Sequence, residues 1–481
     1  MAGFRARRID VPLRRVSLAC AAMLFVLLAD ITFLQAFGRY DLEADPRNER
    51  ALLARFGHPR GDILTHEGAV VATSRRADGG PYDHLRVYDH GEMYAHVTGY
   101  ASLQRATGVE GESDAVLSGS DPKVRVRALV EDRVYGGADV RLTIRGRVQR
   151  AAYEALKATG RPGAAVALDP ETGAVLALAS YPSYDPGVYT PGDPQATAAA
   201  DRRLRDDPRR PLLNRALDRT YPPGSVFELV TTAAALTSGE YTVISRVGAP
   251  ARLPLPGRPA YLTASAGRPC GDGRPSLAYA FQLSCDTALA NLGLQLGPDL
   301  LRDQAEAFGF NADDLSVPLP ARTGTYPGDL DQSRAALSAI GRDEVRATPL
   351  MLAMLSAAVA NGGLLMRPYL VEEVRLPDGS VTDRAEPAPY RTVMPSLPAG
   401  QLAAMMTTTT VPGGPAAGVA LPGVEVAAKT TTGPGPGPGP SACTAFAPAD
   451  APQVAVGVVL EDATPSAATP LARTILKAAL S

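Results

Sequence analysis

Histidine is nearly missing from this chain: the five present, His58, His66, His84, His90 and His96, all lie in the first hundred of 481 residues. Beyond them a Ser-His-Asp triad or a histidine-bearing zinc site is excluded. Lysine is as scarce. Only Lys123, Lys157, Lys429 and Lys477 stand among 48 basic residues, so each is a weaker accident of composition than any arginine. A formal net charge of −2 provides no basic surface for nucleic acid, and no metal-ligand or nucleotide motif is present, so neither nucleic acid nor a cofactor is expected. Cysteine numbers four. Cys20 falls in an apolar run, leaving Cys270, Cys285 and Cys443, an odd set; Cys270 with Cys285 is the preferred disulfide, because a short Gly/Pro-containing loop separates them, and Cys443 is then free.

The apolar run spans Val16 to Phe37 behind Arg5, Arg7, Arg8, Arg14 and Arg15. Its length fits one membrane-spanning helix, and the arginines predict a cytoplasmic N-terminus with everything after about Gly38 outside. A cleaved signal peptide is the rival reading, but no small-x-small site ends the run. Asp30 inside it is either interfacial or a contact with a membrane partner.

Residues 38–160 hold short apolar runs broken by Gly, Asp and Pro, with strands expected at Pro59–Leu64, Ala69–Ala72, Leu85–Tyr88 and Val140–Ile144, and a helix over Arg145–Thr159. Arg60-Gly61-Asp62 reads as a turn. A second region, 161–481, opens with the hairpin strands Gly163–Leu168 and Ala174–Ala179. Residues 184–220 are polar with little periodicity. Helices are expected over Leu277–Leu296, Thr348–Ala360 and Pro470–Leu480, and strands over Gly423–Thr432, Ala442–Phe446 and Val454–Leu460. The Gly-Pro repeat from Gly433 to Pro440 forms neither helix nor ladder and reads as an extended loop. Strands at both ends with helices between imply one α+β domain closed by pairing of its first and last strands.

Between them lies Tyr221-Pro-Pro-Gly-Ser225, opening an alanine-rich run that reads as a buried helix. Ser225 at a helix N-terminus suits a nucleophile, because unpaired N–H groups and the helix dipole favour an anionic oxygen there. It equally suits a capping box, in which Ser225 accepts from the Glu228 N–H and the Glu228 carboxylate reaches back.

Taken in order, Ser225-x-x-Glu228, Ser284-x-Asp286 and Lys429-Thr430-Thr431 resemble the Ser-x-x-Lys, Ser-x-Asn and Lys-Thr-Gly motifs of penicillin-binding proteins. Tyr221-Pro-Pro-Gly-Ser225, Ser284-Cys-Asp-Thr-Ala288, Thr348-Pro-Leu350, Ala360-Asn-Gly-Gly363, Ala445-Phe-Ala-Pro448 and Pro182-Ser-Tyr-Asp-Pro186 look like that family's framework. With Ala44-Asp-Pro-Arg-Asn48, the whole is similar to the actinobacterial class B members that pair with membrane glycosyltransferases of cell-wall synthesis. The resemblance implies a penicillin-binding, serine β-lactamase-like transpeptidase domain (161–481), a β-rich pedestal or dimerisation-type domain (38–160), a single transmembrane anchor (16–37) and a basic cytoplasmic tail (1–15). It also implies D,D-transpeptidation of D-Ala-D-Ala stem peptides through an acyl-serine on Ser225, sensitivity to β-lactams, Ser284 as proton relay, and Thr430 and Thr432 beside the substrate, with backbone N–H groups of Ser225 and Thr432 as an oxyanion hole.

One residue departs in each motif. Glu228 replaces a lysine, with a reference pKa of ~4.3 against ~10.4 and a charge that opposes alkoxide formation. Asp286 replaces an amide and brings no N–H donors when ionised. Thr431 replaces a glycine and crowds the groove where the substrate backbone docks. Glu228 and Asp286 are both available to neutralise Lys429. Three readings remain open: an altered transpeptidase, a non-catalytic partner of a membrane glycosyltransferase, and a sensor of β-lactams or wall fragments.

Overall fold

A computed structural model describes residues 10–33, 57–78, 82–122, 124, 136–190, 193–264, 267–432 and 439–481. Its centre is an antiparallel five-stranded sheet running, edge to edge, Ala427–Thr430, Gly439–Ala447, Val454–Ala463, Gly163–Leu168 and Val175–Tyr181. Leu168 pairs with Ala455 and Gly163 with Leu460, so the first strand of this region does close on the last. Every residue of Gly163–Leu168 is buried. Such an uninterrupted apolar run needs cover on both faces of the sheet, which helices provide. Pro349–Ala360 packs on Val454–Ala463, whereas Gly146–Thr159 and Thr469–Leu480 pack on each other and on the sheet. Thr348 starts the first of these helices by accepting from the Met351 N–H at 3.2 Å, with Pro349 behind it, and Met351 and Met354 are core residues.

The pedestal is built on a second sheet, ordered Val381–Arg384, Val371–Arg375, Asp139–Leu142, Ile63–Leu64, Val70–Arg76 and His84–Tyr88. Its first two strands, Val381–Arg384 and Val371–Arg375, come from the region expected to belong wholly to the transpeptidase domain, so this sheet joins the two regions of the chain. Arg60-Gly61-Asp62 is not a free turn, as expected, but a clamp. Arg60 and Arg86 are both buried and converge on the buried Glu110: Arg60 Nη2 lies 2.9 Å from Oε2 and Arg86 Nε 2.5 Å from Oε1. One carboxylate thus spans two guanidinium groups, and Arg60 reaches Asp114 at 2.7 Å as well.

Three other expectations need correction. Residues 184–220 contain a helix, Pro194–Asp206, whose start is signed by Asp193 accepting from the Gln195 N–H at 2.8 Å and by Pro194 in its first turn. None of its residues is buried, so it shows no apolar stripe to read. The helix expected over Leu277–Leu296 breaks into Leu277–Gln282 and Asp286–Ala307, with Ser284 at φ 50° between them. Of the Gly-Pro repeat, Gly439 and Pro440 already belong to a strand, while residues 433–438 lie outside the described residues. Near the N-terminus the helix Asp10–Phe33 is long and apolar enough over Arg14–Phe33 to cross a membrane; residues 34–37 of the expected span lie outside the described residues.

Glu110→Ala leaves the buried Arg86 guanidinium without its carboxylate and Arg60 with Asp114 alone, and is expected to cost about 3–5 kcal/mol. Asp201→Ala, which removes a more exposed i,i+4 pair with Arg205 and one hydrogen bond from the Tyr189 hydroxyl, is expected to cost clearly less. Urea unfolding of both variants checks this, and equal losses would show that Glu110 is not holding the pedestal.

Candidate active site

Gly224–Phe227 forms a single 3-10 turn that runs straight into the helix Glu228–Ser238. Gly224 has φ 52° and its N–H donates to the Gly341 carbonyl at 3.2 Å; a Cβ on Gly341 would stand 2.2 Å from the Gly224 oxygen. The turn therefore seats against Gly341 with no room for a side chain. Ser225 is buried inside the turn and does not cap it. Its hydroxyl shares a 2.7 Å hydrogen bond with Thr432 Oγ1, the one hydrogen bond its side chain makes among the described residues. Glu228 does not reach back either. The capping-box reading is thus replaced: both side chains leave the helix terminus for the strand Ala427–Thr430 and its continuation.

Lys429 is fully buried on that edge strand and takes four contacts. Its Nζ lies 2.7 Å from Glu228 Oε2, donates to Ser284 Oγ at 2.8 Å and to the Phe281 carbonyl at 2.5 Å, and stands 3.9 Å from the Phe281 ring centroid. The break at Ser284 explains the geometry. With Ser284 in the left-handed region, its hydroxyl turns toward Lys429 before the next helix begins at Asp286. Cys285 is joined to Cys270, with Cα atoms 6.1 Å apart, and Cys443 is free and buried.

Glu228 is completely buried, and burial pushes its pKa up to about 7 against the opposing pull of Lys429; Asp286 adds a smaller upward push. Burial likewise holds the Lys429 ammonium below its usual range, with Glu228 pulling the other way. The Glu228–Lys429 contact is close in distance but poorly directed, since neither carboxylate oxygen accepts a hydrogen bond of good geometry. Asp286, also raised by burial, is held by Arg342 Nη2 at 2.7 Å.

These groups form two layers. The open cleft, about 390 Å³, is lined by Ser225, Asp286, Arg342, Arg346, Thr431 and Thr432 among others. Glu228, Ser284 and Lys429 lie beneath its surface. Thr430 donates to the Ala442 carbonyl at 3.0 Å and does not line the cleft. Thr431 donates to the Pro465 carbonyl at 3.0 Å and presents its methyl to Gly224, at the cleft lip where it was expected to crowd the groove. Ser225 and Thr432 stand side by side through their hydroxyl groups.

Residues 163–480 match the penicillin-binding protein transpeptidase domain, and residues 60–139 match the penicillin-binding protein A dimerisation domain. The chain belongs to the penicillin-binding protein transpeptidase family. It is 40% identical over 489 residues to the peptidoglycan D,D-transpeptidase PbpA of Mycolicibacterium smegmatis, covering 98% of this chain and 99% of that one. The PbpA of Mycobacterium tuberculosis is 40% identical over 494 residues, with 98% and 99% covered. Among solved structures, the ceftriaxone acyl-enzyme complex of penicillin-binding protein A from M. tuberculosis superposes with a TM-score of 0.84 at 38% identity, covering 89% of this chain and 100% of that chain. The penicillin-binding fold, the two-domain resemblance and the PbpA kinship expected from the motifs are thereby established.

Sequence reasoning missed Arg342 and Phe281. Nothing marks Arg342 among so many arginines, except that a carboxylate at position 286 facing a cleft needs a cation close by. Phe281 contributes through its carbonyl and ring face, which no motif records.

The raised Glu228 pKa has a stability consequence. Between about 4.5 and about 7 the folded carboxyl holds its proton while the unfolded one has lost it, so unfolding releases a proton and stability falls as pH rises through that window. Glu228→Gln is expected to lack this decline. Thermal midpoints of both proteins from pH 4 to 8 measure it; parallel curves would mean that Glu228 titrates normally.

Proposed function

We propose that this chain is an exported, membrane-anchored D,D-transpeptidase homologue whose cleft receives D-Ala-D-Ala stem peptides and β-lactams, and in which acylation of Ser225 is strongly impaired. Its N-terminal helix serves as the anchor, with the arginine-flanked end in the cytoplasm and both sheets outside. One observation carries the reading: Lys429, the only lysine beneath the cleft among the described residues, lies 2.7 Å from a fully buried Glu228 where the family motif has a second lysine. The Ser225 hydroxyl is hydrogen-bonded to Thr432, not to a base, so its proton has no direct acceptor of suitable basicity. Once ionised, above about pH 7, Glu228 beneath the nucleophile also opposes the negative charge that attack creates. Loss of one well-placed acid-base group costs on the order of 10²–10⁴ in rate.

A non-catalytic role beside a membrane glycosyltransferase is the second reading. It draws support from the pedestal, whose buried Arg60–Glu110–Arg86 clamp and cross-chain sheet are complete while every catalytic motif has changed.

Intact mass after timed incubation with penicillin G tests the proposal. Wild type is expected to gain the acyl adduct slowly, Glu228→Lys on the order of 10²–10⁴ faster, and Ser225→Ala not at all. Equal rates in wild type and Glu228→Lys would overturn the impairment. Absence of adduct in both would favour the non-catalytic role.

A further inference from the structure

Residues 340–346 form one wall of the cleft, to which Gly341, Arg342, Asp343 and Arg346 contribute. Backbone contacts fix this wall against the nucleophile. The Gly341 N–H donates to the Ser338 carbonyl at 2.8 Å and the Arg342 N–H to the Leu337 carbonyl at 3.0 Å, which closes the helix Gln332–Ser338. The Gly341 carbonyl in turn accepts from Gly224, the neighbour of Ser225, at 3.2 Å. Arg342 thus stands one residue from the seat of the Ser225 turn, and its backbone cannot shift without disturbing that seat.

The charged side chains of the wall are held in different ways. Arg346 turns Nη1 back onto the Asp343 and Val345 carbonyls at 3.0 Å and 2.8 Å, and Asp343 is held by Arg334 at 2.9 Å. Arg342 reaches across the cleft lining to another segment. Its Nη2 lies 2.7 Å from Asp286 Oδ2, with the arginine side chain 30% exposed and the aspartate 7%. Among the described residues this is the one hydrogen bond the guanidinium makes, and of its five N–H donors the other four are unspent. Asp286 therefore holds the planar group at one corner, so that less freedom remains to be lost when a ligand binds.

Carboxylates and carbonyls both answer such donors. The charge of Arg342 is already matched by Asp286, and Asp343 lines the same cleft, so a further carboxylate meets two acidic groups as it approaches one guanidinium. A neutral carbonyl meets no such repulsion and still accepts from a charged donor. We infer that Arg342 is a specificity-determining residue of this cleft, donating to an amide carbonyl of the ligand from a position fixed by Asp286 and by the Gly341–Gly224 contact. The donor and its placement come from the cleft; the ligand class, peptide or acylamino β-lactam, rests on the function proposed above.

The test uses the full chain in detergent carrying Ser225→Ala, so that only reversible binding is read. It compares penicillin G with penicillanic acid, the same bicyclic carboxylic acid without the acylamino group, by ligand-observed NMR titration. Arg342→Ala is expected to lower the preference for penicillin G over penicillanic acid roughly tenfold, the loss of about one hydrogen bond. Because that variant leaves Asp286 without its cation, Asp286→Ala/Arg342→Ala, which removes the pair together, is expected to show the same drop and stands in should the single variant fold poorly. A preference left unchanged by the double variant would overturn the proposal; if both ligands weaken alike, Arg342 serves their shared carboxylate or merely holds the wall. Binding with an unchanged preference leaves the β-lactam-receiving cleft proposed above standing, whereas no binding of either ligand before Arg342 is altered would overturn both.

Discussion

One buried ammonium organises the catalytic half of the molecule. Lys429 on the edge strand reaches the first turn of the helix Glu228–Ser238 and the break at Ser284, joining segments about 145 to 200 residues apart in the chain. A lysine taken wholly out of water must be compensated where it ends, since a lone buried charge costs far more than any single contact returns. Glu228, the Ser284 hydroxyl, the Phe281 carbonyl and the Phe281 ring are that compensation. The positions of the turn, the break and the strand are therefore coupled: displacing one uncovers the charge that the others bury.

That coupling also accounts for the chemistry. By the family's motifs this place would hold two lysines and an amide, a net positive site suited to an alkoxide and to a ligand carboxylate. Here Glu228 and Asp286 stand beside Lys429 and Arg342, so two of the cations in this volume are already matched by carboxyl groups. Position by position the exchanges look like losses, yet together they form a balanced set, with each carboxyl group beside a cation. A cleft balanced in this way is stable as it stands and has little unspent positive potential with which to stabilise a developing negative oxygen. Preservation of the fold and the weakened acyl transfer proposed above would follow from one rearrangement.

Much of this architecture was legible in the chain. Gly163–Leu168 and Val454–Leu460 announce strands buried on both faces by their unbroken apolar runs, and Thr348-Pro349 signs a helix start with a cap and a fixed φ. The three motifs stand on three segments, and the structure brings two of them together, with Lys429 Nζ 2.8 Å from Ser284 Oγ. What stayed hidden has a common physical cause. Arg60 and Arg342 act through partners 50 and 56 residues away, and no local pattern distinguishes an arginine that is buried and paired from one that is solvated.

Ser284 shows the same limit at the level of the backbone. Periodicity carried one helix through it, because the apolar spacing on either side is continuous, but a continuous helix would carry its hydroxyl along the helix surface and away from the edge strand. A positive φ at a non-glycine residue is tolerated only where the surroundings return more than the strain takes, on the order of 1–3 kcal/mol. Here the return comes from the contact with Lys429 and from the Cys270–Cys285 bridge at the adjoining residue, both remote in sequence. Local propensity therefore fails at the residue where tertiary contacts decide the conformation, and a departure from helical periodicity next to a candidate nucleophile is itself a mark of the site.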